Sequence, residues 1–254
     1  MKMDKDLVIN EKGKIMMPVL ETFLSCNGEG LDVGKPVTFV RLVGCNLRCK
    51  YGAGGVCDTP ESLLFPCQRK VKDFEYMTAK QVATIILDNG APRVTLTGGE
   101  PLARPGIGQW LEELIEELDY KVLIEIETNG SIDIAEHVLD KFKSLEALQC
   151  LRFTMDYKCK SSRMNTLMNL ENWDYLAEND VIKCVVGSVE DMEDAIAKFE
   201  EYQPTAQIIF SPMFEVIDPV VIWEFIQRPD VLKWDIKFQL QLHKFVYDPA
   251  VTGV

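Results

Sequence analysis

Gly44-Cys45-Asn46-Leu47-Arg48-Cys49, followed after residues 50–56 by Cys57-Asp58-Thr59, is the segment on which interpretation of this chain turns. Its three thiols fall within thirteen positions, a clustering that suits a metal better than packing. Thiolates select zinc, copper(I) or an iron–sulfur cluster. A structural zinc site closes with four ligands, and neither His137 nor His243 lies near this loop. Three ligands on a cubane cluster would leave one iron open to another molecule. The gap before Cys57 contains Tyr51-Gly52-Ala53-Gly54-Gly55, and glycine lets a chain fold back cheaply. A looped-out insertion could therefore return Cys57 to the same iron. Buried, reduced cysteines that bind nothing are the alternative these thiols alone leave open.

The rest of the composition describes an ordinary soluble globular chain. With 254 residues, 47% apolar and 26% charged, one substantial core and a single domain over residues 1–254, cluster loop at 45–59, are expected. The net charge of −13, from 27 basic and 40 acidic residues, argues against nucleic acid as a partner, because such binders carry a basic face. A small-molecule substrate fits better. The start, Met1-Lys2-Met3-Asp4-Lys5-Asp6, lacks the apolar core of a signal peptide, and no apolar run approaches the ~20 residues of a membrane helix. No membrane association is expected. Eight cysteines without framework spacing indicate reduced thiols and a cytoplasmic location.

Outward from the cysteine loop, β-like and amphipathic helical stretches alternate. Residues 12–24 and 36–44 predict strands around an Asn27-Gly28-Glu29-Gly30 turn. Thr78 opens a helix to about residue 89, and 93–97 predicts a strand. Pro105 starts a helix whose Ile107, Leu111, Leu114, Ile115 and Leu118 fall at helical spacing. Strand 121–128, a helix over 132–144, strand 148–156, a helix near 171–179 and strand 181–186 follow. Ser188, with Asp191 three residues on, caps a helix reaching Tyr202. Strand 206–210, a helix from Pro219 and strand 233–237 complete the series. Such alternation predicts an α/β fold with a parallel sheet, without saying whether it is open or curled.

Ligands in parallel α/β folds sit at the carboxyl ends of strands, so polar motifs there are candidate sites. Strand 93–97 ends in Thr97-Gly98-Gly99-Glu100-Pro101, where Glu100 can accept a hydrogen bond from an ammonium. Strand 121–128 carries Glu125 and Glu127 on one face. In a buried parallel strand this implies a polar lumen or a water-facing edge. Strand 148–156 leads into Asp156-Tyr157-Lys158. Cys67, Cys150, Cys159 and Cys184 have no cluster spacing and are expected to pack in the core or at the surface.

The Cys45-x3-Cys49 loop with its Asn-Leu-Arg filler resembles the cluster loop of radical S-adenosylmethionine (SAM) enzymes. That family's second gap is usually two residues, and here it is seven. Gly98-Gly99-Glu100-Pro101 is similar to the motif that holds the SAM amino group, and Glu127-Thr128-Asn129-Gly130 to a segment near SAM. Asp156-Tyr157-Lys158 resembles a ribose- and carboxylate-binding segment that often reads Ser-Pro-Lys. The two ends narrow the resemblance. Residues 21–30, Gly34-Lys35-Pro36, Phe39-Val40-Arg41 and the tail Gln241-Leu242-His243-Lys244-Phe245 are similar to the 7-carboxy-7-deazaguanine synthase family, with Asn27 where that family typically has Gln.

This resemblance implies a partial (βα)6 TIM-like barrel of radical SAM type with an N-terminal β extension. It implies a lyase of 7-deazapurine (queuosine) biosynthesis that converts 6-carboxy-5,6,7,8-tetrahydropterin to 7-carboxy-7-deazaguanine with loss of ammonia. A 4Fe–4S cluster would sit on Cys45, Cys49 and Cys57, with Mg2+ on Thr59. SAM would meet Val56, Cys57, Asp58, Gly99, Glu100, Glu127, Asn129, Asp156, Tyr157 and Lys158. Cys26, Asn27, Gly28, Glu29, Arg41, Thr97 and the Val254 carboxylate would meet the pterin, with Glu29 and His243 as catalytic groups. A homodimer and an electron donor such as flavodoxin are further implications. On the residues alone, two other classes stay open: a radical SAM activase acting on a protein partner, and a non-enzymatic zinc-binding module.

Overall fold

The computed structural model describes residues 7–51, 57, 59–70 and 73–248. Its nine strands are β1 (Met16–Cys26), β2 (Pro36–Leu42), β3 (Glu75–Thr78), β4 (Arg93–Gly98), β5 (Leu123–Thr128), β6 (Leu151–Tyr157), β7 (Val181–Val186), β8 (Gln207–Pro212) and β9 (Lys237–Phe238). They form one sheet in the order β3-β1-β2-β4-β5-β6-β7-β8-β9. β1 is antiparallel to both β2 and β3, and every pairing from β2 onward is parallel. Seven strands, β2 and β4 to the short β9, therefore run parallel, and β1 with β3 is the N-terminal β extension. The edges β3 and β9 are not hydrogen-bonded to each other, so the sheet is not closed.

The helices are α1 (Ala79–Asn89), α2 (Ile107–Glu117), α3 (Ile134–His137), α4 (Leu145–Leu148), α5 (Val189–Tyr202), α6 (Pro219–Phe225) and α7 (His243–Val246). Thr78 caps α1 through Gln81 N, and the Gln81 side chain returns to Thr78 N at 3.0 Å. Ser188 caps α5, as the Ser188–Asp191 spacing predicted. The outer faces of the strands (Val40, Leu42, Val94, Leu96, Ile124, Ile126, Met155, Ile182) are buried with α1, α2 and α5 in one apolar core. The opposite faces are polar. Arg41, Thr97, Glu127, Asp156 and Lys183 line a cavity there, so the paired glutamates of β5 belong to a lumen and not to a water-facing edge.

Three predicted elements are revised. The helix over 132–144 is interrupted after α3, because Lys143 N and Ser144 N donate to Glu112 Oε1 of α2 at 2.6 and 3.0 Å instead of into a helical ladder. The helix near 171–179 is a 3-10 turn, Leu170–Tyr175, tied down by Asn172 Nδ2, which reaches Ile132 O at 2.8 Å. The strand at 233–237 is mostly a 3-10 turn, and Asp235 at φ 47° redirects the chain so that only Lys237–Phe238 joins β8. The four-residue β3 was not predicted. No helix among the described residues is long and apolar enough to cross a membrane.

Candidate active site

The cavity lies at the carboxyl ends of the parallel strands, where two glycines bring the cysteine segment close. Gly98 has φ +127°, and a Cβ there would stand 2.1 Å from the Leu42 carbonyl. A Cβ on Gly99 would stand 2.3 Å from the Gly44 carbonyl. With bare backbone, Gly99 N donates to Leu42 O at 3.1 Å and Glu100 N to Gly44 O at 2.9 Å. Cys45 and Cys49 are consequently buried around Leu47, against Tyr51, Leu63 and Met164. Asn129 Nδ2 stands 3.7 Å from Cys45 Sγ and donates to Asn46 Oδ1 at 3.0 Å. Burial pushes the Cys45 thiol up to about 11, so the sulfur stays protonated until a cation displaces the proton. Cys57 lines the same cavity, its sulfur 3.6 Å from Thr59 Oγ1.

Below the cysteines, charged groups converge from separate strands. Thr97 Oγ1 donates to Glu127 Oε2 at 2.6 Å, and Lys158 Nζ to Asp156 Oδ2 at 2.6 Å. Lys183 Nζ donates to Glu29 Oε2 and lies 3.2 Å from Asp156 Oδ1. Burial raises each of these carboxyls, because the charged form loses its hydration. In Glu29 the Lys183 ammonium outweighs burial and the net shift is downward. Lys158 and Lys183 do the same for Asp156. Burial wins in Glu127, which is pushed up to about 7 despite Lys183, with Glu125 adding to the rise. Burial would lower the Lys183 ammonium, yet Asp156, Glu29 and Glu127 hold it well above the ordinary lysine range.

The turn carrying Glu29 is itself anchored. Asn27 Nδ2 donates to Glu125 Oε2 at 2.9 Å, while Thr154 Oγ1 holds the other Glu125 oxygen at 2.6 Å. Gln239 Nε2 donates to Gly30 O at 2.9 Å and Leu242 N to Gly28 O at 3.0 Å, tying the turn to the chain after β9. A Cβ on Gly28 would lie 2.5 Å from His243 Nδ1, which explains the glycine.

The structure thus brings together most of the residues that the sequence singled out. Asn27, Gly28, Glu29, Arg41, Thr97 and His243 line the cavity together with Cys45, Cys49, Cys57, Thr59, Gly99, Glu127, Asn129, Asp156 and Lys158. Three others point elsewhere. Cys26 is exposed at the end of β1. The Glu100 carboxylate accepts from Leu102 N, Thr128 Oγ1 and Asn129 N at 3.0, 2.8 and 2.6 Å, so it braces the loops beside the cavity and is buried off its lining. Tyr157 turns to the outer face, where its hydroxyl donates to Asp194 Oδ2 at 2.8 Å. Val56, Asp58 and Val254 lie outside the described residues. Sequence reasoning missed Lys183, Tyr51 and Gln241, which also line the cavity. A signal existed for Lys183: it is the one charged residue in Val181–Val186, and lysines are almost never buried unless paired.

The Radical SAM superfamily profile matches residues 39–212. A 7-carboxy-7-deazaguanine synthase from Clostridium acetobutylicum is 39% identical over 240 residues, spanning 93% of this chain and 98% of its own. This chain belongs to the 7-carboxy-7-deazaguanine synthase family of radical SAM enzymes. A second synthase, from Leptospira interrogans, is 30% identical over 243 residues, with 90% and 94% of the two chains covered. The crystal structure of QueE from Escherichia coli shares the fold, with a TM-score of 0.64 at 20% identity over 90% of this chain and 95% of that one.

Membership in this radical SAM family implies a 4Fe–4S cluster and SAM. The residues present fit both. Three cysteines on one cavity form a soft, sulfur-only donor set with one iron position to spare. Among the described residues no three His, Cys, Asp or Glu side chains already converge as a metal shell.

Proposed function

We propose that this synthase-family enzyme converts 6-carboxy-5,6,7,8-tetrahydropterin to 7-carboxy-7-deazaguanine with loss of ammonia. The observation that carries this reading is Glu29. Its Oε2 is held by Lys183, whereas Oε1 is buried beside Gln241 with no hydrogen bond of good geometry among the described residues. An ionised, pre-oriented acceptor with one open oxygen suits the donor edge of an amino-pyrimidinone ring. Leaving that oxygen unmatched costs about 1–3 kcal/mol, so a ligand donor there contributes to binding and to discrimination.

Cys45, Cys49 and Cys57 would hold the cluster, which together with SAM would supply radical hydrogen-atom transfer. The chain's residues hold the partners in place. Asn129, Asp156 and Lys158, which line the cavity, are assigned to SAM, and Arg41, Thr97 and Glu29, which line it too, to the pterin. His243 lies over Gly28 next to Glu29 and is assigned with Glu29 to the proton movements of the substrate ring. Glu127, which accepts from Thr97 Oγ1 at 2.6 Å on the same cavity wall, is assigned with Asn129 to SAM. A small electron-transfer protein such as flavodoxin as reductant, and a homodimeric assembly, belong to the same reading.

Arg41 Nε donates to Glu21 Oε1 at 2.6 Å, and its side chain stays 12% exposed at the cavity. In this reading the outward part of the guanidinium takes the substrate carboxylate. Arg41→Lys keeps the charge and loses the fork. It is expected to raise the substrate KM roughly tenfold, the worth of one charge-assisted hydrogen bond, with iron content and SAM binding unchanged. Parallel losses in all three would give Arg41 a structural role instead.

Thr59 is assigned to Mg2+ through its hydroxyl, which borders the cavity beside Cys57. Magnesium takes oxygen ligands and keeps several waters, so one hydroxyl and the substrate carboxylate form a reasonable share of its shell. Thr59→Ala is expected to abolish stimulation by magnesium. Full retention of that stimulation contradicts the assignment.

The decisive experiment incubates reduced, anaerobically reconstituted protein with SAM and the carboxypterin. The expected result is 7-carboxy-7-deazaguanine and ammonia in equal amounts, with SAM regenerated. Release of 5′-deoxyadenosine without a pterin-derived product would exclude this reaction.

A further inference from the structure

Lys183 lines the same cavity. Its side chain is 10% exposed, on a strand whose other residues, Val181, Ile182, Cys184, Val185 and Val186, are apolar. The ammonium meets Glu29 from the turn between β1 and β2, and Asp156 from the end of β6. Asp156 in turn accepts from Lys158, whose ammonium stands 5.2 Å from the Tyr51 ring centroid beside the cysteine segment. A continuous series of ion pairs, Glu29–Lys183–Asp156–Lys158, therefore lines the cavity.

We propose that Lys183 is a positioning residue for the reaction, its single ammonium setting Glu29 toward the pterin and Asp156 toward SAM so that the reacting atoms are held in register. This rests on the function proposed above. One cation hydrogen-bonded to Glu29 and ion-paired with Asp156 holds the two carboxylates at a set separation, and misplacing reacting groups by about 1 Å can cost 10²-fold in rate. The ammonium also keeps Glu29 in the form that accepts hydrogen bonds. Glu29 faces Lys183 from β7, Asp156 from β6, Glu127 from β5 and His243 across Gly28. Without Lys183, Asp156 keeps Lys158, whereas Glu29 is left beside Glu127 and Asp156 in a buried space where burial and repulsion favour its neutral acid.

The test compares reconstituted wild type with Lys183→Met, which keeps the length and removes the charge. The readouts are iron content, calorimetric affinity for 6-carboxypterin as a function of pH, and the ratio of released 5′-deoxyadenosine to product. Lys183→Met is expected to keep its iron and to lose roughly 30-fold or more in carboxypterin affinity, the usual consequence of truncating one member of a buried charge pair. The acid limb of binding should move to higher pH, because Glu29 without its cation ionises later. The nucleoside-to-product ratio should rise, and Lys183→Arg should move all three readouts back toward wild type. Wild-type affinity and ratio in Lys183→Met overturn the proposal. So does a double-variant result in which Lys183→Met costs as much on a Glu29→Gln background as alone, since a residue acting through Glu29 should then cost under about threefold. The double variant also lacks the uncompensated carboxylate, which covers the case in which the single variant fails to fold. If wild type itself neither binds 6-carboxypterin nor forms the deazaguanine, the proposed function falls, and the role of Lys183 with it.

Discussion

Cys57→Ala is expected to abolish iron–sulfur loading and SAM cleavage, while Cys67→Ala leaves both at the wild-type level. Cys57 lines the cavity with Cys45 and Cys49. Cys67 sits in the 3-10 turn Pro66–Gln68 and borders a separate groove with Val8, Met17, Pro18, Phe74 and Tyr76. The seven-residue gap does not favour Cys67. Loop-closure entropy grows with the logarithm of length, so extending a two-residue gap to seven costs about 1 kcal/mol, far less than a lost thiolate ligand. Each variant is reconstituted without oxygen and assayed for iron, sulfide and SAM cleavage. Loss in Cys67→Ala with loading kept in Cys57→Ala would move the third ligand and undo the assignments of Val56, Asp58 and Thr59.

Gly98→Ala should be the most damaging small substitution outside the cysteines. The φ of +127° is one that only glycine adopts freely, and the new Cβ would stand 2.1 Å from the Leu42 carbonyl, which is backbone and cannot rotate away. Strain of this kind and overpacking each cost about 1–3 kcal/mol, so a combined loss of about 3 kcal/mol or more is expected. For a chain this size that lowers Tm by roughly 6–12 °C. Because the contact is with β2 just before Gly44 and Cys45, cluster loading should fall with stability. Gly34→Ala is the control: its φ is +80°, but a Cβ there meets nothing within 4 Å, so only about 1–2 kcal/mol is lost, without effect on iron. Equal losses in the two variants would mean that the contact between β4 and the cysteine segment is unimportant.

The parts of the molecule legible in the sequence are those governed by local rules. Alternating apolar patterns set out β2, β4, β5, β7, α1, α2 and α5, because side-chain direction repeats every two residues in a strand and every 3.6 in a helix. Thr78 and Ser188 marked helix starts through their side-chain caps. Cys45, Cys49, Gly98, Gly99, Glu127 and Lys158 stood out because such residues are unusual in apolar surroundings at the ends of strands.

Other features depended on contacts between distant segments. Glu112 of α2 interrupts the helix after residue 137, and Asn172 holds the turn that replaces another; neither influence can be seen within the windows that predicted those helices. Glu100 looked like a group for a ligand and is occupied by two backbone amides and a hydroxyl, one amide and the hydroxyl from the end of β5. Tyr157 sits next to two cavity residues in sequence but points away from them, since neighbouring strand residues face opposite sides. Lys183 is the converse case. A lone lysine in an apolar strand signals a buried partner, but the identity of that partner is a matter of tertiary geometry. Sequence patterning alone established which residue types this chain places at its strand ends. Which of them share an ion pair, and so which carboxyls burial raises and which a neighbouring ammonium lowers, was decided only when the sheet brought Glu29 within reach of Lys183, 154 residues away, because electrostatic interactions depend on distance in space and on burial.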